Sequence, residues 1–146
     1  MPKYMPVSVA GLAFGDISVG MAADLMKTVM ATDVVGFAEL SGDNNPVHLS
    51  AHFAAKTPFK DRIAHGLYTA SLISTLLGTR LPGPGAIYLT QTLNFRAPVR
   101  IGDVIHAHVE VMAIDKQKNR VTLATTCSVD NRIVLDGEAA VMVPAA

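Results

Sequence analysis

The chain has few of the residues that mark secreted, membrane-spanning or nucleic-acid-binding proteins. Its single cysteine, Cys127, has no partner for an internal disulfide, so a reducing compartment such as the cytoplasm is expected. Charged residues make up only 16% of the sequence, and the 12 basic and 12 acidic side chains cancel. Because no basic patch or tail is present, nucleic acid is not expected as a partner. The longest run without a charge, residues 63–79, is shorter than the ~20 apolar residues that a membrane span requires.

Several catalytic and processing motifs are also missing. The sequence has no nucleophile elbow, no phosphate-binding loop and no dinucleotide-binding glycine pattern. Residues 5–14 are mildly apolar, but Pro6 and Gly11 interrupt them, so a secretory leader is not expected. No internal repeat is visible, and 146 residues correspond to one domain with a sizeable core. We therefore expect a single soluble domain over residues 1–146.

Helical signals occupy the first half of the chain, after a strand or a bent pair of strands expected over residues 16–30. Thr32 or Asp33 is suited to cap a first helix, and Gly42 is suited to end it. Ser50 is suited to cap a second helix over residues 51–56. The uncharged run then predicts a buried helix over about residues 64–79. Along it, small residues recur every four positions and would let another backbone approach closely: Gly66, Ala70, Ser74 and Gly78.

After residue 85 the apolar period changes from helical to two, which predicts antiparallel strands. Polar turns separate these strands, which are expected over residues 87–95, 105–111, 121–129 and 133–143. Four strands after the helix and one before it indicate an α+β domain. In this arrangement a curled antiparallel sheet encloses the apolar helix fully.

The most informative polar segment is residues 41–50, which carry the acid Asp43 and the imidazole of His48. Pro46 removes a backbone donor and keeps Asn45 out of the helical region, so the segment is not helical throughout. Asparagine side chains favour turns and hydrogen-bond their own backbone. On spacing alone, the segment is either an ordinary Asx turn before a helix or a rigid loop that holds a carboxylate and an imidazole against one reactant.

Other candidate ligands have simpler explanations. His106, His108 and Glu110 alternate along one strand and so face one side of the sheet. Such a row needs further ligands to complete a metal shell, and a solvated strand face explains it equally well, so no metal is expected. His52 is predicted to face solvent. Cys127 lies on the apolar side of its strand and is predicted to be a core residue.

The start of the buried helix adds a possible electrophile site. His65 and Gly66 lie where free N–H groups and the helix dipole favour negative charge. Gly66 has no side chain and permits a ligand to approach that backbone. An acid–base pair beside such a site meets the needs of water addition next to a thioester carbonyl. The base takes a proton from water, the acid gives one to the α-carbon, and N–H groups hold the enolate oxygen.

Taken with these features, the chain resembles the MaoC-like hydratases, specifically the short (R)-specific enoyl-CoA hydratases built on one hot-dog domain. The resemblance runs from about residue 37 to residue 143. Its most specific segment is FAELSGDNNPVHL at residues 37–49. Three others follow in the same order: IAHG at 63–66, GPGAIY at 83–88 and FRAPVRIGD at 95–103.

The resemblance implies a hot-dog fold and assigns roles to individual residues. Asp43 and His48 would activate water for reversible addition to a trans-2-enoyl-CoA, and the Gly66 N–H would bind the thioester oxygen. The product would be an (R)-3-hydroxyacyl-CoA, which makes the enzyme a hydro-lyase. Three further residues would bind substrate or support the site: Asn45, His65 and Ser74.

The resemblance also implies a homodimer or dimer of dimers, with no cofactor beyond the coenzyme A of the substrate and a role in fatty-acid or other thioester metabolism. Three alternatives stay open: a dehydratase of acyl-carrier-protein substrates, a hot-dog acyl-CoA thioesterase, and a non-catalytic acyl-CoA-binding hot-dog protein. A thioesterase of this fold usually has a carboxylate on or beside the helix, and residues 63–79 contain none. A non-catalytic protein is expected to have lost Asp43 or His48, and both are present.

Overall fold

One antiparallel sheet carries a long helix across one face in the computed structural model of the chain, which describes residues 10–145. Residues 5–9 of the mildly apolar N-terminal segment lie outside the described residues, and Phe14–Asp16 form a short 3₁₀ turn. No helix within residues 10–145 is long and apolar enough to cross a membrane.

The sheet contains one strand before the helices and five after them. The strands are β1 (Ala22–Thr28), β2 (Ile87–Gln91), β3 (Asn94–Phe95), β4 (Val104–Asp115), β5 (Arg120–Val129) and β6 (Arg132–Met142). They pair in the order β1-β4-β5-β6-β2, and β3 also pairs with β6. Every pairing is antiparallel, as predicted.

The prediction of a single strand over residues 87–95 is wrong, because this segment divides into β2 and β3 at Thr92. The Thr92 N–H donates to the Glu138 carbonyl oxygen at 2.9 Å, and Thr92 Oγ1 accepts from the Glu138 N–H at 2.9 Å. Gly137 makes this contact possible, since a Cβ there would lie 1.8 Å from the Thr92 carbonyl oxygen. The connection between β2 and β3 therefore packs directly against β6.

The inner face of the sheet carries the predicted core. Alternate residues of β4 and β5 are almost fully buried: Ile105, Ala107, Val109, Val111, Val121, Leu123, Thr125 and Cys127. Burial raises the pKa of the Cys127 thiol to about 12, which agrees with its predicted role as a core residue. The β5–β6 turn at Asp130 and Asn131 has φ values of 50° and 62°, typical of a tight hairpin.

Four helices lie between β1 and β2: α1 (Ala31–Ser41), α2 (Pro46–Leu49), α3 (Ala51–Ala54) and α4 (Gly66–Thr79). The predicted cap of α1 is wrong: Met30 is the N-cap, and Asp33 instead accepts the Met30 N–H at 2.8 Å. Gly42 ends α1 with φ 80°, as predicted. Ser50 caps α3 by accepting the Phe53 N–H at 3.1 Å, although α3 ends two residues before the predicted residue 56.

The α4 helix begins two residues later than predicted and is buried on one side. His65 has an extended backbone (φ −62°, ψ 136°), so Gly66 is the first helical residue. The side chains that face the sheet are buried: Tyr68, Thr69, Leu72, Ile73, Leu76 and Leu77. Leu67, on the opposite side, is 60% exposed. Full enclosure of α4 is not reached within one chain, because a single sheet layer covers only one face of a helix.

Candidate active site

Local hydrogen bonds fix the loop between α1 and α2. Asp43 Oδ1 accepts the Asn45 N–H at 3.3 Å, and Asn45 Oδ1 accepts the Val47 N–H at 3.1 Å. Asn45 thereby caps α2, and Pro46 occupies the first helical turn, where no N–H is needed. The loop therefore ends at Asn45, and His48 lies on a helical turn instead of in the predicted loop.

The His48 side chain is only 8% exposed and is oriented by one backbone acceptor. Its Nδ1 lies 2.7 Å from the Ile63 carbonyl oxygen. Because a carbonyl oxygen only accepts, Nδ1 carries the hydrogen, and a neutral His48 presents the lone pair of Nε2. Arg62 Nε donates to the His48 carbonyl oxygen at 2.7 Å. The segment before α4 thus fixes the ring of His48 and its tautomer.

A second imidazole, that of His65, touches both members of the predicted acid–base pair. His65 is 2% exposed, and its Nε2 lies 2.9 Å from the Asp43 carbonyl oxygen. Its ring stacks on His48 with centroids 3.8 Å apart and an angle of 26° between the planes. One carboxylate oxygen of Asp43 and one nitrogen of each imidazole lie within 4.8 Å of one another. The structure therefore brings the predicted acid and imidazole together.

These groups line a cavity of about 590 Å³. Asp43, His48, His65 and Gly66 all contribute to its wall, and most other lining residues are apolar, among them Phe37, Phe59, Leu67, Phe95, Val99 and Leu135. A cavity of this size, apolar with a few polar groups at one point, suits a small molecule that is oriented by those groups.

Gly66 lies at the edge of this cavity as the first residue of α4. Its N–H has no intrahelical acceptor, and the dipole of a 14-residue helix favours negative charge beside it. A Cβ at this position would lie 2.6 Å from the Phe95 ring, so only glycine fits here without a shift of that ring. The predicted site for a developing oxyanion is thus next to the acid–imidazole pair.

Phe37 and Phe95 line the cavity, and the sequence interpretation assigned them no role in the site. Both were explained by helix or strand periodicity, which does not distinguish a core aromatic from one at a cavity wall. Both also fall within the segments that carry the resemblance, at residues 37–49 and 95–103. That coincidence was the only signal that could have pointed to them.

Ser74 lies away from this group. It is eight residues beyond Gly66, about 12 Å along the helix axis. It faces a second, shallower depression with Tyr88 and Gln91 of β2, not the cavity of Asp43. Within one chain the structure therefore does not bring Ser74 to the predicted catalytic acid.

The histidines on β4 form a hydrogen-bonded cluster with Asp24 on the outer face of the sheet. His106 Nε2 and His108 Nδ1 each lie 2.6 Å from Asp24 Oδ1, and all three side chains are partly exposed. The hydrogen bond from His108, more than that from His106, lowers the pKa of Asp24. These hydrogen bonds account for the cluster without a metal, although its ligand atoms are close enough to hold one. Glu110 takes no part in the hydrogen bonds of the cluster, and His52 is exposed, as predicted.

A helix packed on an antiparallel sheet, with an acid and an imidazole beside the N-terminus of that helix, is the arrangement of a hot-dog protein. The chain belongs to the family of MaoC-like domains, because the family model described as "MaoC like domain" matches residues 17–132. This match confirms the family indicated by the sequence.

Individual relatives support the same assignment. A 3-hydroxybutyryl-CoA dehydratase of Methylorubrum extorquens is 62% identical over 133 residues, which cover 91% of this chain and 85% of that protein. An (R)-specific enoyl-CoA hydratase of Rhodospirillum rubrum is 53% identical, over 90% of this chain and 92% of that protein. The solved structure of an (R)-hydratase from A. caviae involved in PHA biosynthesis has a TM-score of 0.86 at 45% identity, over 88% of this chain and 98% of that one. The predicted hot-dog fold is confirmed by this similarity.

Proposed function

We propose that the protein is an (R)-specific enoyl-CoA hydratase that reversibly adds water to a trans-2-enoyl-CoA to give an (R)-3-hydroxyacyl-CoA. One observation carries the proposal: Asp43, His48 and the first N–H of α4 meet at a single, mostly apolar cavity. Hydration and dehydration are the two directions of one reaction, which accommodates both names among the relatives. Those names also bear out the predicted enzyme class, a hydro-lyase.

In this proposal Asp43 and His48 hold and activate the water. The water donates to the Asp43 carboxylate and to His48 Nε2, and its oxygen attacks C3 of the enoyl group. The electron pair of the C2–C3 double bond moves to the thioester oxygen, where the Gly66 N–H stabilises the enolate. His48 Nε2 takes a proton from the attacking water, and the proton reaches C2 through the Asp43 carboxyl group, so that one water molecule is added overall. Asn45 supports the loop by capping α2.

The proposal extends to the substrate, the oligomeric state and the cellular location. The acyl chain lies along the apolar wall of the cavity, and coenzyme A is part of the substrate, with no separate cofactor or metal. The enzyme acts as a homodimer, or as a dimer of dimers, in the cytoplasm. Its products and substrates place it in fatty-acid or related thioester metabolism.

The test is a direct assay of water addition. Purified protein is expected to remove the conjugated enoyl-thioester absorbance of crotonyl-CoA or a longer homologue. Because general acid–base catalysis contributes about 10²–10⁴-fold, Asp43→Asn and His48→Gln are each expected to lower kcat/KM by about that factor. His52→Gln is the matched control, since His52 is exposed on α3 and away from the cavity, and it is expected to keep full activity.

Four outcomes would contradict the proposal. Release of free thiol without loss of the double bond would indicate a thioesterase. Activity on acyl-carrier-protein thioesters but not on CoA thioesters would indicate the carrier-protein dehydratase. An (S) product, detected by coupling to a stereospecific dehydrogenase, would exclude the (R) assignment. Binding of enoyl-CoA with no conversion at any chain length would indicate a non-catalytic protein.

A further inference from the structure

Among residues 10–145, the loop that carries Asp43 has one hydrogen bond to a distant segment. The hydrogen bonds made by residues 43–45 run within the loop or to its immediate neighbours, with one exception among the described residues. The exception joins His65 Nε2 to the Asp43 carbonyl oxygen, 22 residues away in sequence, at 2.9 Å. His65 precedes α4, so this bond attaches the loop to the N-terminus of the helix.

The same imidazole supports the other member of the pair. The His65 ring stacks on His48 at 3.8 Å between centroids, and Phe37 packs against His65 at 4.8 Å. His48 is therefore held in its plane by His65 and by the hydrogen bond from its Nδ1 to the Ile63 carbonyl oxygen. Loss of the His65 ring would free His48 to tilt away from the position at which Nε2 meets the water.

Ordinary packing does not account for a histidine at this position. Because the Asp43 carbonyl oxygen only accepts, His65 Nε2 carries the hydrogen, and a neutral ring leaves Nδ1 as an acceptor. Within the described part of the chain, that buried Nδ1 has no hydrogen-bond partner. Burying a polar atom without a hydrogen-bond partner is unfavourable, so the side chain of a phenylalanine would pack here at lower cost. What the histidine supplies, and a phenylalanine would not, is the N–H that holds Asp43.

We propose that His65 is a positioning residue for the hydration reaction, acting through two separable contacts. Its Nε2–H sets the position of Asp43, and its ring sets the plane of His48. This inference rests on the function proposed above. Misplacement of a reacting group by about 1 Å costs on the order of 10²-fold in rate. Loss of either contact is therefore expected to lower kcat by an amount that steady-state kinetics can measure.

Two substitutions separate the contacts. His65→Phe keeps an aromatic ring for stacking but loses the donor, whereas His65→Gln keeps an amide donor but loses the ring. Each is expected to lower kcat about tenfold while KM stays within about twofold, and His65→Ala, which loses both contacts, is expected to lower kcat about 10²-fold. Tyr68→Phe is the control for general destabilisation, since Tyr68 is buried one turn further along α4 and does not line the cavity.

A double-mutant cycle distinguishes positioning from loss of folded protein. If His65 acts through Asp43, then His65→Phe is expected to change kcat by less than about twofold when Asp43→Asn is already present. Equal effects of His65→Phe in the wild-type and Asp43→Asn backgrounds would overturn the inference, as would a His65→Ala variant with wild-type kcat. Inactivity of the wild-type protein itself would instead refute the proposed hydratase.

Discussion

Two backbone carbonyl oxygens, those of Ile63 and Asp43, decide where the hydrogens lie on the stacked imidazoles. The motif made Asp43 and His48 candidates, because an acid and an imidazole in a proline-restricted loop are visible in the sequence. The acceptor that fixes the tautomer of His48 was not visible, because every residue has a carbonyl oxygen and only the fold decides which one is near. The contacts of His65 were hidden for the same reason.

Gly66 gives a prediction at the same scale. A Cβ at Gly66 would lie 2.6 Å from the Phe95 ring, which lines the cavity, so Gly66→Ala is expected to push that ring into the substrate space. Overpacking of this kind costs about 1–3 kcal/mol. If that cost falls on substrate binding and reaction, kcat/KM for crotonyl-CoA is expected to fall about ten- to a hundredfold.

The control and the rescue for Gly66→Ala both come from the structure. Gly36 lies exposed in α1 with nothing within 4 Å of an added Cβ, so Gly36→Ala is expected to keep full activity. A second substitution, Phe95→Ala, is expected to restore part of the activity of Gly66→Ala by giving the methyl group room. Unchanged kinetics in Gly66→Ala would show that Phe95 moves aside without affecting the substrate.

At the scale of strands, the cluster of Asp24, His106 and His108 joins the edge strand β1 to β4 by hydrogen bonds. Hydrogen bonds from His108 and His106 lower the pKa of the Asp24 carboxyl below its value in an unfolded chain, about 3.9. Its contribution to stability is therefore present above about pH 4 and is lost as the pH falls through the lower pKa of the folded state. Because Asp24 and both histidines are partly exposed, we expect this contribution to be only about 0.2–1 kcal/mol.

Urea denaturation of Asp24→Asn as a function of pH measures this contribution. The variant is expected to be less stable than the wild type at pH 7, with the difference shrinking in high salt and disappearing in acid. Glu110→Gln is the control on the neighbouring strand β4, since Glu110 has no ion pair among the described residues, and no such pH-dependent difference is expected. A constant difference between Asp24→Asn and the wild type at all pH values would contradict the electrostatic explanation.

Helix and strand boundaries were predictable only where one residue determines them. Gly42 ends α1 because its φ of 80° suits glycine, and Ser50 caps α3 because its hydroxyl reaches an N–H three residues ahead. The break at Thr92 was not predictable, because the alternating pattern continues through it. It depends on Gly137, 45 positions later, which leaves room for the Thr92 carbonyl oxygen.

At the scale of the whole molecule, apolar side chains are left uncovered at Leu67, near the start of α4, and on the edge strand β2. Leu67 is 60% exposed and Leu89 is 38% exposed, and the second edge of β2 has no strand paired with it in the described chain. Edge strands and apolar patches of this kind favour association. We expect two chains to join here, so that the wild-type protein sediments at twice the mass of one chain.

Leu89→Asp tests this arrangement by placing a charge on that surface. The variant is expected to sediment as a single chain at concentrations at which the wild type is a dimer. Met112→Asp is the control, since Met112 is an even more exposed apolar residue on the inner strand β4, and the substitution is expected to leave the dimer intact. A monomeric wild type, or a Leu89→Asp variant that remains dimeric, would refute the predicted interface.

The sequence by itself indicated the class of fold, the antiparallel pairing of the strands and two candidate residues for acid–base chemistry. These follow from local periodicity and from side-chain chemistry, both of which depend on residues close together in the sequence. Only the tertiary structure decided that His65 holds Asp43 and His48, that phenylalanine rings line the cavity, and that Ser74 lies apart from the acid within one chain. Each of these is a contact between distant segments, and its geometry depends on how the whole chain packs.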